Sequence, residues 1–201
     1  KSAPQSPVLV QSWISSLDGK AIPYFSTTPP LALVKPNSLQ QISIIYQGEG
    51  APVDRESMFQ LNVQDSGAMT PEFQNKNSLS PSFLQVIKAF YRPPALKGKD
   101  VLKAPLELKW EIKNKTATSY IVKIDNPTPF NIVFSGILFS GKTNKKASEI
   151  IFMNKDADVL APFSSVELVM SARNGINSAT ASLEKLIFIT IDDYGMSNVF
   201  Q

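Results

Sequence analysis

Apolar residues in this chain come in short runs, set mostly at alternate positions and punctuated by proline, asparagine and glycine. Residues 8–14 place Val8, Val10, Ser12 and Ile14 against Leu9, Gln11 and Trp13, the two-residue period of a half-buried strand. Pro29-Pro30 then breaks the chain before a second run at 31–34, and further strands are expected at 42–46 and 57–63. In the last of these, Met58, Gln60 and Asn62 oppose Phe59, Leu61 and Val63. A polar, turn-rich segment over 64–77 leads into the longest strand expected in the first half, 79–91. Residues 93–100, with two prolines, Gly98 and three charges, read as a linker. The pattern then restarts, predicting strands at 106–112, 120–124, 132–139, 150–153, 166–170 and 186–191. Between the second and third of these lies Asn126-Pro127-Thr128-Pro129-Phe130, a tight corner in which two prolines lock φ. No window sustains a 3.6-residue period, so the expected fold is all-β, two β-sandwich domains joined near 93–100.

Within 79–91 the parity separates two faces. Leu79, Pro81, Phe83, Gln85 and Ile87 share one, and Leu84, Val86 and Lys88 share the other. Pro81 cannot donate to a central ladder, which argues for an edge strand. An edge with alternating apolar side chains is a template for strand addition by another chain. It is equally the pattern of a strand that fills its own core. Lys88 ends an otherwise apolar run and has two readings: its ammonium reaches solvent or an internal carboxylate, or it holds an external carboxylate such as a chain terminus.

Composition removes whole classes of chemistry. There is no histidine and no cysteine, which excludes Ser-His-Asp and Cys-His catalysis, thiolate or imidazole metal sites and a disulfide framework. No zincin, nucleophile-elbow or P-loop motif occurs, so no catalytic residue, cofactor or metal ligand is expected and an enzyme is disfavoured. The net charge of +3 is too small and scattered for a nucleic-acid face, and the cluster at 142–146 reads as a solvated turn. No apolar run of the roughly 18 residues needed to cross a membrane is present, and the opening Lys1–Pro7 lacks the apolar segment of a signal peptide, as a mature secreted or a truncated chain equally would.

Several separated segments resemble one family. Asp54-Arg55-Glu56-Ser57-Met58-Phe59, Ile87-Lys88-Ala89-Phe90-Tyr91-Arg92-Pro93, the Asn126–Phe130 corner and Ile191-Asp192-Asp193-Tyr194-Gly195 are similar to the motif set of periplasmic pilus (fimbrial) assembly chaperones of the PapD-like family. The 8–14 strand and Thr28-Pro29-Pro30 resemble it too, and the matches keep the family's order over nearly the whole chain. The resemblance implies two immunoglobulin-like domains in an L-shaped (boomerang) arrangement: 1–92, a linker at 93–100, and 101–201. It implies a periplasmic chaperone of the chaperone–usher pathway, ATP-independent, that stabilises pilin subunits by donor-strand complementation and delivers them to an outer-membrane usher. Leu79, Pro81, Phe83 and Ile87 would be the donor side chains, and Lys88 the anchor for the subunit's terminal carboxylate. Glu56, Arg92 and Asp193 would form an interdomain ion network. A self-capping homodimer would cover the same edge strand in the free chaperone.

The short 64–77 loop and the lack of cysteine resemble the short-loop branch. Pro81 departs from the family's usual apolar residue. The family's second basic anchor, an arginine on its first strand, has no counterpart, and the first half supplies only about five strands against the seven or so of a sandwich. About two strands are therefore expected ahead of Lys1. The competing reading is an immunoglobulin-like structural or adhesive module without chaperone activity.

Overall fold

The computed structural model describes residues 7–66, 82–116, 118–143, 146–154, 158–172 and 182–201. The chain divides into two compact units, one of residues 1–52 and 57–91, the other of 53–56 and 92–201. Among the described residues, all but two short segments of regular structure are strands.

In the first unit, β1 (Val8–Ser15), β3 (Leu31–Val34), β5 (Ser57–Ser66) and β6 (Ser82–Tyr91) form an antiparallel sheet in the order β3-β1-β5-β6. The strands β2 (Phe25–Thr28) and β4 (Ser43–Tyr46) pair separately. The β5–β6 ladder runs unbroken from Ser57↔Tyr91 to Ser66↔Ser82. The strand expected at 57–63 extends in it through Ser66, three residues further than the polar character of 64–66 suggests. Pro29 and Pro30 act as acceptors, taking the Ser12 hydroxyl and the Ser12 amide at 3.1 and 2.9 Å. The core is small and aromatic. Ile14, Phe25 and Phe59 are buried, with Tyr24, Tyr46 and Tyr91 packed against them. The Phe25–Phe59 and Tyr46–Tyr91 ring centroids lie 4.5 Å apart. Gly50 sits against this cluster at φ +94, where a Cβ would lie 2.6 Å from the Tyr24 ring, so only glycine fits.

The second unit is one larger sheet, ordered β14-β13-β9-β10-β12-β8-β7, with β11 on β9. Its strands are β7 (Lys109–Lys115), β8 (Ser119–Asn126), β9 (Ile132–Thr143), β10 (Lys146–Asn154), β11 (Val159–Leu160), β12 (Ser164–Ala172), β13 (Ser182–Ile191) and β14 (Ser197–Phe200). Strict alternation along β8 buries Tyr120, Val122, Ile124 and Asn126. In β9 the alternation changes phase. Ile132 and Phe134 are buried, and so are Ile137 and Phe139, because the register slips at Ser135 where Thr190↔Phe134 is followed by Ile189↔Gly136. A β-bulge keeps all four on the core face.

Two expectations need correction. The strand expected at 106–112 begins only at Lys109, because Asp100 accepts the Leu102 amide and caps a 3₁₀ segment, Val101–Glu107, with Pro105 inside it. Lys142, Thr143 and Lys146, read as part of a solvated turn, lie in the paired ends of β9 and β10. The 93–100 stretch itself carries a 3₁₀ turn, Pro94–Leu96, and Leu96 is 2% exposed in the second core beside Ala104. The short strands β2, β11 and β14 escaped the pattern altogether.

Candidate functional site

Two places gather the residues singled out by sequence. The first is β6. It terminates its sheet, and among the described residues it pairs on one side only, with β5. Phe83 and Ile87 share a face with Ala89 and Tyr91, whose side chains pack on the aromatic core, yet they are 63% and 49% exposed. The opposite face carries Leu84, Val86, Lys88 and Phe90, all exposed. Five large apolar side chains thus lie open along one unpaired edge. Apolar surface of this extent on a soluble protein marks an interaction site. Lys88 stands opposite Gln60 in the ladder. Leu79 and Pro81 lie outside the described residues.

The second place is the end of that strand, where the chain enters the second unit. Here Glu56, Arg92 and Asp193 meet, all within the second unit. Arg92 donates from Nε to Glu56 Oε1 at 2.7 Å and from Nη2 to Asp193 Oδ2 at 2.8 Å, and Nη2 also lies 2.7 Å from Glu56 Oε1. The Glu56 side chain is almost fully buried, at 2% exposure. A lone buried carboxylate would be costly, and its remaining lone pairs are filled by Asn131, whose amide and side chain donate to Oε2 at 3.0 and 3.3 Å. The Glu56 amide in turn donates to Pro129 O at 2.9 Å. Arg92 also lies over the Phe130 ring, 5.3 Å from its centroid. Burial works against the Arg92 charge. The hydrogen bonds to Asp193 and Glu56 more than offset it, and the guanidinium sits above the ordinary arginine value.

Local chemistry holds each partner in place. Asn126, 1% exposed, donates from Nδ2 to the carbonyls of Phe130, Leu160 and Ala161, and its Oδ1 accepts the Thr128 amide and hydroxyl. This knot, with the two prolines, shapes the corner that presents Pro129, Phe130 and Asn131 to Glu56. Asp193 is presented by the β13–β14 turn. Asp192 accepts the amides of Tyr194 and Met196 and the side chain of Asn198, and Gly195 takes φ +78. Those bonds, from Met196 first and Asn198 next, hold the Asp192 carboxyl below the usual aspartate range.

Sequence reasoning named the three charges and the Asn126–Phe130 corner but missed Asn131. The contacts made by Phe130 and by the Asn126 side chain were not legible either, since each is made only by folding. Among the described residues, no group of three or more carboxylates is placed to hold a metal ion.

Comparison with known proteins agrees with this architecture. Residues 2–97 match the model for the pili and flagellar-assembly chaperone, PapD N-terminal domain, and residues 103–200 that for the pili assembly chaperone PapD, C-terminal domain. The chain is 31% identical over 191 residues to the probable fimbrial chaperone LpfB of Escherichia coli O157:H7, covering 93% of this chain and 71% of that protein. It is 32% identical over 198 residues to the probable fimbrial chaperone YadV of Escherichia coli K12, covering 94% and 75%. The crystal structure of YadV superposes with a TM-score of 0.69 at 31% identity, covering 98% of this chain and 85% of that one. The SafB chaperone of Salmonella enterica, solved in complex with the SafA pilin, has the same fold, with a TM-score of 0.69 at 22% identity over 98% of this chain and 83% of that one. The chain belongs to the PapD-like pilus-assembly chaperone family. It is a chaperone of fimbrial assembly built from two immunoglobulin-like sandwiches.

Proposed function

We propose that this chaperone captures pilin subunits in the periplasm by lending them β6 as a missing strand, and then passes them to an outer-membrane usher. The observation that carries this reading is the open apolar edge, with Phe83 and Ile87 exposed on the core-facing side of a strand that, among the described residues, is paired on one side. An incomplete sandwich lacking one strand has the complementary need: a groove to fill and a row of backbone groups to pair. Phe83 and Ile87 enter that groove, Leu79 and Pro81 extend the row before β6, and Lys88 receives the subunit's terminal carboxylate. The burial of apolar surface on both partners drives capture, so no nucleotide is consumed.

The Glu56–Arg92–Asp193 cluster has an orienting role. It clamps the residue that directly follows β6, which fixes where the strand ends and so where Lys88 stands. In the free chaperone a second copy can cover the same edge, giving a self-capped homodimer.

Replacing Lys88 by alanine tests the anchor. Lys88 is exposed, so the variant should keep its circular-dichroism spectrum and melting curve while losing co-purification with its pilin subunit. Undiminished co-purification would remove Lys88 from the site.

A further inference from the structure

A strand added at the edge of β6 meets two rows of side chains, and a groove in an incomplete sandwich accounts for only one of them. Phe83 and Ile87 fill that groove. Leu84 and Val86 leave the opposite face of the strand and are 53% and 50% exposed. The sheet itself offers these two no apolar neighbour. Leu84 stands opposite Gln64 and Val86 opposite Asn62 in the β5–β6 ladder. Both amides are engaged elsewhere. Gln64 Nε2 donates to the Ser82 hydroxyl at 3.0 Å, and Asn62 Nδ2 donates at 2.9 Å to Ser15 Oγ on β1, the side of β5 away from β6. Phe90, further along the same face, stands opposite Met58 and is less exposed, at 37%. Cover for Leu84 and Val86 therefore has to come from beyond the open edge.

An edge of the second unit shows the contrasting design. β7 also ends its sheet and, among the described residues, pairs with β8 alone. One of its faces carries Trp110, whose ring lies 5.6 Å from that of the buried Phe139. The other carries Lys109 and Glu111, opposite Asp125 and Lys123. Charges on the outer face of an edge strand discourage addition by another chain. The stretch 82–87 of β6 has no charge at all, and its outer face is apolar.

We propose that the pilin strand that pairs with β6 is apolar on both of its faces opposite residues 83–87, and that Leu84 and Val86 select it. The proposal rests on the reading of β6 as the strand lent to the subunit. Whichever direction the added strand runs, its successive residues alternate in face. Half of them fall beside Phe83 and Ile87, and half beside Leu84 and Val86. A strand that alternates apolar and polar satisfies the first pair and sets polar side chains against the second. A short unbroken apolar run covers both, and cross-strand apolar pairs are what stabilise such a ladder. Phe83 and Ile87 thus admit a subunit with an open groove, and Leu84 and Val86 are specificity residues that favour one kind of pairing strand.

The test is a competition in which variant and differently tagged wild-type chaperone capture, during refolding, a limiting amount of the pilin subunit that co-purifies with the wild type. The double variant Leu84→Thr, Val86→Thr keeps good strand formers and replaces two exposed apolar side chains. It should leave the melting curve of the free chaperone unchanged and lower capture about tenfold, as expected from losing partial burial of two apolar side chains. Leu84→Lys, which sets a charge on the outer face, should lower it further, and it carries the test if the double variant does not fold. Hydrogen exchange locates the subunit strand that gains protection on capture. That strand should be apolar at successive positions, and one that alternates apolar and polar would overturn the proposal. Capture lowered by Phe83→Thr but by neither outer-face variant would overturn the role of Leu84 and Val86 and leave the lent strand standing. Outer-face variants that lose only self-association in sedimentation would assign the row to a second copy and overturn the proposal. Capture indifferent to Phe83→Thr as well would overturn the lent strand and this inference together.

Discussion

Arg92 holds two carboxylates in different surroundings, and the difference decides their worth. Glu56 is buried, with donors on both oxygens, whereas the Asp193 side chain is 42% exposed. Removing Glu56 leaves Arg92 and two Asn131 donors without their acceptor, so Glu56→Ala should destabilise the protein by roughly 2–4 kcal/mol, below the full cost of breaking a buried pair because Arg92 reaches solvent. Asp193→Asn should cost less than about 1 kcal/mol, the range of an exposed pair. Urea denaturation of both variants checks the contrast, and equal losses would contradict the asymmetry. The three charges were legible in the sequence because each sits in a distinctive motif. Asn131 was not, since an asparagine after a Pro-Phe pair has no local mark of its bond to a glutamate 75 positions earlier.

Elements were legible where one face is buried and illegible where the backbone departs from simple alternation. The run at 120–124 lies in β8, whose burial alternates without a slip, while in β9 the bulge at Ser135 changes which parity faces inward. The apolar spacing of 106–108 mimics the start of a strand, but Pro105 and the Asp100 cap make 101–107 a 3₁₀ segment. The neighbouring 93–100 stretch has the composition of a free connector, yet Leu96 is buried in the second core. Leu96→Ala should therefore cost roughly 2–5 kcal/mol, as for any large-to-small change in a packed interior. A thermal melt would show it, and an unchanged melting temperature would mean the segment is a connector only. β2 and β14 are four-residue strands with polar positions, too short for a period to declare itself.

At the scale of the whole molecule, the charge pattern sets the pH range of stability. This sequence has no histidine or cysteine, so no side chain has an unperturbed titration between pH 5 and 8. At the acid end, Asp192, Asp54 and Asp18 sit below the ordinary aspartate value of 3.8, through the Met196 amide, the Arg55 guanidinium and the Lys20 ammonium respectively. A depressed carboxyl stabilises the fold above its unfolded value, and that stabilisation is lost as pH falls through the folded value. At the alkaline end, Tyr91 is raised, by burial and then by Tyr46, and Lys123 is raised, by its bond to Asp125. Their contributions are present below the unfolded values and lost as pH rises through the folded ones. The melting temperature should be flat from about pH 5 to 8 and fall below about 4 and above about 10. Asp192→Asn should flatten the acid limb, as melts across the pH series would show. The sequence by itself determined what depends on neighbours along the chain: strands rather than helices, which residues share a face within a strand, and which chemistries are absent. Only the tertiary structure decided the order of the strands in each sheet, that Glu56 and Arg92 meet across 36 positions, and that Asp193 joins them from 101 positions further on. Alternation is a local property of an extended backbone, whereas strand order and buried charge contacts depend on which distant segments close together, and no window of residues records that choice.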